Sequence, residues 1–319
     1  MSVTIEAGPV VSAGPAPAGK RPRDWRRPLL IWGFAAPALL VYAIFVLLPI
    51  ALAAVYSFFN WNGLSELERF IGFDNYARAL SDKVFIGAVG NNLTIVVLSL
   101  LIQGPLAIMI ALLLNRPLRG RTVIRTLIFV PYVLAEVVAG LAFKLLLPPE
   151  GPFDGVLTAL GWQGDKPNWL ADPSIAFWTL FVVLTWKYLG FAIILMLAGL
   201  QGVPDELSEA AAIDGASWWQ IQRYITLPLL GPTIRIWAFL SMIGSLQLFD
   251  MVWILTKGGP INATATMATY MVEYGNQRSQ IGYGSAVAVI LFIVSLILAL
   301  IYQRYVLRRD LAGAISRGK

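Results

Sequence analysis

The chain has 319 residues, of which 58% are hydrophobic and 13% are charged, and its mean hydropathy is +0.71. A soluble globular domain carries about twice that charged fraction, so the composition is that of a membrane protein. The sequence contains no Cys and no His, which excludes disulfides and cysteine metal sites and removes the commonest general base. The net charge of +6 is typical of basic loops on the inner side of a membrane, and we expect no nucleic-acid partner.

Residues 1–28 are expected to form a disordered, basic, cytoplasmic tail, because their first part is rich in Gly, Pro and Ala without a helical period. The basic residues are Lys20, Arg21, Arg23, Arg26 and Arg27. Residues 14–21 nearly match the phosphate-binding pattern G-x-x-x-x-G-K-[ST]. However, Pro15 and Pro17 lack the backbone N–H groups that would bind phosphate, and Arg21 replaces the magnesium-binding hydroxyl. We therefore expect no nucleotide site in this chain.

Six apolar segments follow, each long enough to cross a bilayer core, which takes about 20 helical residues. In chain order they are Leu29–Phe58, Gly87–Leu114, Thr122–Leu147, Ser174–Leu200, Pro232–Leu255 and Tyr283–Tyr305. The expected fold is an all-α polytopic membrane protein, with a six-helix transmembrane domain over residues 29–309 and a cytoplasmic tail at residues 310–319. Pro131, in the third segment, is one of several prolines expected to kink or end a helix.

The distribution of charge predicts the orientation of the segments. The link between the third and fourth segments is mainly acidic, with Glu150, Asp154, Asp165 and Asp172. Basic residues instead concentrate in the N-terminal tail, in the link between the second and third segments, and around the C-terminal end. In the last two places they are Arg116, Arg119, Arg121, Arg304, Arg308, Arg309, Arg317 and Lys319. By the positive-inside rule, both termini and the link between the second and third segments lie in the cytoplasm, and the parity of the segments places the loop after the fourth segment there as well.

The loop between the fourth and fifth segments has the pattern of two short helices with a break. Asp205 is predicted to cap the first helix, and Gly215 to end it in a left-handed conformation. Ser217 and Gln220 have the spacing of a capping box for the second helix, which Pro228 is predicted to stop. Small and apolar residues on its exposed face indicate docking onto another protein. The alternative is a loop helix that packs only on the membrane bundle.

This loop resembles the EAA loop of the permease subunits of bacterial ABC importers. The residues that carry the resemblance are Glu209, Ala210, Ala211, Gly215, Leu227 and Pro228. Residues 70–76, 198–204, 255–260 and 282–286 resemble the carbohydrate-uptake branch of these permeases, the maltose and glycerol-phosphate type. The resemblance covers residues 29–309 and is best over residues 88–305. One departure is Lys257, at a place where the family often has Gly.

The resemblance implies the type I ABC importer transmembrane domain in a cytoplasmic (inner) membrane, with residues 205–228 as the coupling loop that fits a cleft in the ATPase subunit. It also implies a second permease subunit, two ABC ATPase subunits and an extracytoplasmic solute-binding protein. ATP and Mg²⁺ would bind to the ATPase subunits, and this chain would hold no cofactor. The solute would be a sugar or a sugar-like compound.

Polar residues inside the apolar segments predict a solute path, because an ionisable group at mid-bilayer costs roughly 2.5–3.5 kcal/mol on insertion scales and normally faces a cavity or a partner. The predicted path residues are Gln103, Glu136, Lys187, Ser245, Gln247 and Phe249. Alternatives remain for three of them. Lys187 could snorkel or pair with Glu136, and Gln103 could form a helix–helix hydrogen bond.

Two other classes of function are considered. A stand-alone secondary carrier or channel would need coupling-ion carboxylates and an inverted repeat, and Glu136 is the one carboxylate well inside a segment that could serve. A membrane-embedded enzyme would need His, Cys or clustered carboxylates for acid–base or metal chemistry. The sequence favours a transport subunit that is not itself an enzyme.

Overall fold

The structure is a computed structural model that describes residues 26–67, 69–116 and 119–307. Within these ranges the regular elements are helices, accompanied by one isolated antiparallel bridge between Phe59 and Phe70. The tail predictions for residues 1–25, including the phosphate-loop-like stretch at 14–21, lie outside the described residues. So do the C-terminal tail at residues 310–319 and its basic side chains.

Five continuous helices and one bent pair are long and apolar enough to cross a membrane. We number them in chain order as span 1 (Trp32–Tyr56), span 2 (Lys83–Leu114), span 3 (Arg121–Val133 with Glu136–Leu146), span 4 (Ala176–Leu200), span 5 (Trp218–Leu246) and span 6 (Ile281–Val306). Shorter helices lie between the spans at Asp74–Ser81, Pro152–Ala159, Asp205–Ile213, Asp250–Leu255 and Met267–Met271. The predicted all-α, multi-pass membrane fold is confirmed.

The chain divides into two compact units, one ending at Ala51 and the other beginning at Leu52. In the first unit the described residues form a helix, Arg26–Tyr42, that continues through a π turn at Ala43–Leu47. The second unit contains spans 2 to 6 and every candidate site residue.

Small residues let spans 2, 4 and 5 pack closely. Ala107 and Ala111 of span 2 and Ala192 of span 4 are buried in one apolar cluster with Leu230 and Trp237 of span 5. A Cβ added at Gly104 of span 2 would lie 2.6 Å from the ring of Trp237. Small residues at helix contacts are the usual means of association in a bilayer, where burial of apolar surface gives no advantage over lipid.

Span 3 differs from the prediction of one continuous segment at Thr122–Leu147. Its two helices, Arg121–Val133 and Glu136–Leu146, are bent by 96° at the break between them. Pro131 lies inside the first helix and weakens its last turn, because proline cannot donate a backbone hydrogen bond. The prolines had suggested a kink, but a bend near a right angle also needs partners for the freed carbonyl groups. Lys187 of span 4 supplies them, as described below.

Span 5 also differs from its predicted bounds, Pro232–Leu255. The helix begins at Trp218 and ends at Leu246, and Asp250–Leu255 is a separate helix. The prediction that Pro228 stops the helix is wrong. A π turn at Gln222–Thr226 makes Leu227 N–H donate to the carbonyl of Gln222, five residues back. Because the hydrogen-bond ladder is already offset there, the proline ring fits into a continuing helix.

A side-chain hydrogen bond joins the link between spans 5 and 6 to the start of span 2. Asp82 caps span 2 by accepting from the N–H groups of Val84 and Phe85, and it accepts from the Tyr270 hydroxyl at 2.7 Å. Burial opposes the charge of Asp82, but these hydrogen bonds outweigh it and hold the pKa of its carboxyl below the ordinary value. The end of the bundle opposite the 205–228 loop is therefore tied together by side chains.

Candidate functional site: an exposed loop and a cavity between the spans

The 205–228 loop begins with a helix whose start differs from the prediction. The helix is Asp205–Ile213, and the residue that precedes it, Pro204, occupies the cap position with an extended backbone at φ −63° and ψ 127°. The capping role predicted for Asp205 is therefore wrong. Instead, Asp205 and Glu206 lie in the first turn, where negative charge interacts favourably with the unpaired N–H groups of the helix end.

The break in the loop matches the sequence prediction. Gly215 has φ +85°, the left-handed conformation that glycine adopts without strain. Its N–H donates to Ala212 and the next N–H donates to Ala211, which is the hydrogen-bond pattern of a Schellman motif. The predicted capping box is present as well. Ser217 N–H donates to Gln220 Oε1 at 2.6 Å, and Gln220 N–H donates to Ser217 Oγ at 3.4 Å.

The loop exposes apolar side chains at the surface of the second unit. Ile213 is 87% exposed, Tyr224 69% and Trp219 68%. Of the predicted coupling residues, Glu209, Ala210, Gly215 and Pro228 are exposed, and Ala211 and Leu227 are half-buried. Glu209, Ala210 and Ala211 lie on the helix Asp205–Ile213, and Gly215 follows two residues after its end. Leu227 and Pro228 lie within span 5.

Span 2 supports this loop from one side. The guanidinium group of Arg116, just after span 2, lies 4.2 Å from the centre of the Trp218 ring. Arg116, Asp205, Ser208 and Gln222 share a small polar pocket of about 100 Å³. The loop is therefore held by contacts beneath it, while Ile213, Trp219 and Tyr224 remain free to meet another surface.

A cavity of about 320 Å³ lies among spans 2, 3, 4 and 5. Its polar lining is uncharged and consists of hydroxyl groups and one amide, and its aromatic lining comes from three of the spans. The polar residues are Ser99, Gln103, Ser241 and Ser245, and the aromatic residues are Tyr132, Tyr188, Phe191 and Trp237. Two of the predicted path residues, Gln103 and Ser245, are thus in the cavity wall.

Gln103 belongs to a chain of hydrogen bonds that joins three spans. Its Nε2 donates to Thr185 Oγ1 at 3.1 Å, and its Oε1 accepts from Ser99 Oγ at 2.6 Å. Ser99 Oγ also lies 2.7 Å from Ser241 Oγ of span 5. The alternative for Gln103, a helix–helix hydrogen bond, is therefore present, and the same side chain faces the cavity.

Lys187 and Glu136 lie at the break of span 3, outside the cavity wall. Lys187 is 1% exposed, and its Nζ donates to the carbonyls of Pro131 at 3.0 Å, of Tyr132 at 3.1 Å and of Leu134. Nζ also lies 3.7 Å from Glu136 Oε1, so the alternative of an ion pair is present. Tyr188, next to Lys187, lines the cavity and donates its hydroxyl hydrogen to Glu136 Oε1 at 3.0 Å.

Gly190 brings span 4 close enough for these contacts. A Cβ at this position would collide with the carbonyl oxygen of Ile128 in span 3. The two backbones are therefore nearly in contact less than one turn from Lys187, which places its ammonium group among the carbonyls of the break. No motif in the sequence marks Gly190, because the neighbour that requires it is remote along the chain.

Asn92 of span 2 binds carbonyl groups at the end of span 5, as Lys187 does at the break of span 3. It is 0% exposed, and its Nδ2 donates to the carbonyls of Ser245 at 2.7 Å and Leu246 at 3.3 Å. Its Oδ1 accepts from the N–H of Met267 at 2.8 Å. A polar residue in an apolar segment was the only sign of it in the sequence.

The other two predicted path residues lie just beyond the end of span 5. Gln247 follows the helix and is exposed, and Phe249 is half-buried and stacks on Trp253 with ring centres 5.4 Å apart. Neither lines the cavity among spans 2 to 5. Their solute role stays a prediction.

Comparison with known proteins agrees with this geometry. The family described as binding-protein-dependent transport system inner membrane component matches residues 103–310. The multiple sugar-binding transport system permease protein MsmF of Streptococcus mutans is 35% identical over 82% of this chain and 90% of its own. The lactose transport system permease protein LacF of Rhizobium radiobacter is 35% identical over 75% and 81%. The sulfoquinovosyl glycerol transport system permease protein SmoG of Agrobacterium fabrum is 34% identical over 86% and 89%.

A solved structure also resembles the chain over most of its length. It is a chain of a bacterial ABC transporter involved in the import of the acidic polysaccharide alginate. The TM-score is 0.77 at 26% sequence identity, and the match covers 88% of this chain and 96% of that one.

Proposed function

Because the chain belongs to the family of binding-protein-dependent transport system inner membrane components, we propose that it is a permease subunit of an ABC importer for a sugar or sugar-like solute. Family membership favours this function over that of a stand-alone carrier or channel. The relatives named for sugars support the solute class, and so does the chemistry of the cavity. The role is transport, and the hydrolysis of ATP is assigned to partner subunits.

The cavity among spans 2 to 5 is the observation that carries the proposal of a sugar. A sugar that leaves water needs hydrogen-bond partners for its hydroxyl groups, because unpaired polar groups in an apolar site are costly. The cavity offers hydroxyls and an amide from Ser99, Gln103, Ser241 and Ser245, and aromatic rings that can cover apolar C–H faces. We assign Gln103 and Ser245 to the solute path on this basis.

The proposed assembly contains a second permease subunit, two ABC ATPase subunits and an extracytoplasmic solute-binding protein. Family membership supports a binding-protein-dependent importer. The numbers of subunits, and ATP and Mg²⁺ on the ATPase subunits, are part of the proposal. Where exposed apolar side chains of the spans face no protein subunit, we assign them to contact with lipid.

The 205–228 loop is proposed to transmit the closure of the ATPase subunits to the spans. Its exposed apolar residues Ile213, Trp219 and Tyr224 support docking onto another protein, and the EAA residues lie beside them. The helix break at Gly215 sets the angle between the docking helix and span 5, so a change of its backbone would move the docking surface. In this proposal, the loop and both termini lie on the cytoplasmic side.

Gly215→Val tests the coupling role. A β-branched residue in the left-handed conformation costs about 1–2 kcal/mol, and here the side chain itself would meet open space, because no atom lies within 4 Å of the added Cβ. We expect the variant to be inserted and assembled but to lose solute uptake in intact cells and solute-stimulated ATPase activity in the purified complex.

Gly161→Val is the matched control for this experiment. Gly161 has φ +94° and also has no atom within 4 Å of an added Cβ, but it lies in the link between spans 3 and 4. We expect its uptake to stay within about twofold of wild type, because its backbone strain is similar and it is remote from the loop. Normal uptake by the Gly215→Val transporter would rule out the coupling role, whereas loss in both variants would indicate misfolding from backbone strain.

A further inference from the structure

We infer that the cavity among spans 2 to 5 selects an electrically neutral saccharide and rejects saccharides that carry a carboxylate or sulfonate. The inference rests on the proposed function, since it names the solute class of the same cavity. The relatives do not decide the matter, because the names of similar proteins include both neutral and acidic solutes.

The cavity wall lacks charge. The residues that line it are hydroxyl, amide, aromatic, aliphatic or glycine residues, and none of them is Lys, Arg, Asp or Glu. An anionic group that enters such a site loses its hydration without gaining a counter-charge. Transfer of an unpaired carboxylate from water to a low-dielectric site is far more costly than transfer of a hydroxyl that finds a partner.

Lys187 is a buried cation close to the cavity. It lies beside the cavity residues Tyr132 and Tyr188, so it could in principle attract an anionic solute. Its ammonium group has three hydrogens, and three backbone carbonyls of the span 3 break already accept from it. Its charge is further balanced by Glu136 at 3.7 Å. Lys187 therefore has no hydrogen to donate to a solute.

The hydrogen bonds around Gln103 can run in one direction only. Thr185 Oγ1 donates to the carbonyl of Phe181, which can only accept. Thr185 must therefore accept from Gln103, so the amide nitrogen of Gln103 faces Thr185 and its oxygen faces Ser99. The hydrogen of Ser99 is thus used on Gln103.

The same direction extends to the far wall of the cavity. In the contact between Ser99 and Ser241, Ser241 must be the donor, because Ser99 has no second hydrogen. The hydroxyl of Tyr188 likewise donates to Glu136. Ser241 and Tyr188 can therefore only accept a further hydrogen bond. These two oxygens match the hydroxyl hydrogens of a neutral sugar, whereas their lone pairs would repel a carboxylate.

Matched pairs of saccharides test this inference on the whole transporter. The probes are hexoses and their disaccharides, each paired with the derivative whose C6 hydroxymethyl group is oxidised to a carboxylate: glucose with glucuronate, galactose with galacturonate, mannose with mannuronate. Binding is measured to the purified membrane complex of permease and ATPase subunits in nanodiscs. The solute-binding protein is left out, so that its selectivity does not contribute. Uptake is measured in cells with the complete transporter.

The neutral member of at least one pair should bind, and its acidic partner should bind at least tenfold more weakly and be taken up at under about one hundredth of the neutral rate. Gln103→Leu should weaken binding of the neutral saccharide about tenfold, because it removes the amide from the wall. The control Thr94→Val should not, because Thr94 is exposed, donates to the carbonyl of Gly90 in its own span and is not among the residues that line the cavity.

One further outcome would contradict the selection of a neutral solute, and another would contradict the proposed sugar transport. If the acidic member binds as tightly as the neutral one and is taken up, selection of a neutral solute is overturned, and the sugar permease stands. If no saccharide of either kind binds at millimolar concentration or is taken up, the proposed sugar transport itself fails.

Discussion

Two helix breaks border the cavity, and a buried side chain from a neighbouring span holds each of them. At the break of span 3, Lys187 donates to three carbonyls, including that of Tyr132, whose ring lines the cavity. At the end of span 5, Asn92 donates to two carbonyls, including that of Ser245, which also lines the cavity. Both breaks thus position one cavity residue directly.

The difference between the two breaks lies in charge. The carbonyl groups at the end of a helix carry partial negative charge, so a cation binds there more strongly than a neutral amide does. Lys187 needs a counter-ion in return, and Glu136 at the start of the second helix of span 3 provides it. Asn92 needs none, because its amide both donates to span 5 and accepts from Met267. We conclude that the charged break is the more costly one to disturb.

Removal of the cation should have the largest effect. Lys187→Met leaves three carbonyls without a donor and Glu136 without a counter-ion, a change that costs about 3–5 kcal/mol where both charges are buried and less here, because the Glu136 side chain is 28% exposed. We expect a strong loss of thermal stability of the purified complex and a low yield of assembled transporter, measured by size-exclusion chromatography after heating. Lys83→Met, at the exposed start of span 2, is the control and should behave as wild type.

The double variant Lys187→Met with Glu136→Gln separates the cost of the unpaired carboxylate from the cost of the unpaired carbonyls. If the cost of the single variant comes mainly from the unpaired carboxylate, the double variant should recover part of the stability. A single variant that melts at the wild-type temperature would show that the carbonyls of the break find other partners, and that Lys187 does not hold span 3.

Removal of the amide should have a smaller effect. Asn92→Leu leaves two carbonyls and one N–H without their partner but creates no unpaired charge, so we expect a cost of about 2 kcal/mol. The same heating assay should show an intermediate loss of stability, with Thr94→Val as the control in the same span. A loss equal to or larger than that of Lys187→Met would contradict the assigned importance of charge.

These contacts explain which features could be predicted from the sequence. The membrane segments follow from hydropathy, and the break at Gly215 and the capping box at Ser217 depend on neighbours a few residues away. Pro131 was expected to kink or end a helix, but neither the size of the bend in span 3 nor the start of span 5 was predicted. The bend is held by Lys187, more than 50 residues away from the carbonyls that it binds. Span 5 starts early because its π turn changes how Pro228 is tolerated.

The cavity was predictable only in part, because its residues contact partners that are remote along the chain. Gln103 and Ser245 are polar residues within apolar segments, and that signal was sufficient to choose them. The contacts of Gln103 with Thr185 and of Ser99 with Ser241 join residues 82 and 142 positions apart in the chain, and hydropathy and helical period contain no information on such distant pairs. Gln247 has the same local signal as Ser245, but it lies past the end of the helix and outside the cavity.

The half-saturation concentration for uptake by the Gln103→Leu transporter, compared with wild type at equal amounts of protein in the membrane, tests whether the solute passes through the cavity among spans 2 to 5. If the cavity is the solute path, this concentration should rise about tenfold, because the amide faces the solute, while assembly and basal ATPase activity are retained. An unchanged half-saturation concentration with normal assembly would show that solute does not pass through this cavity.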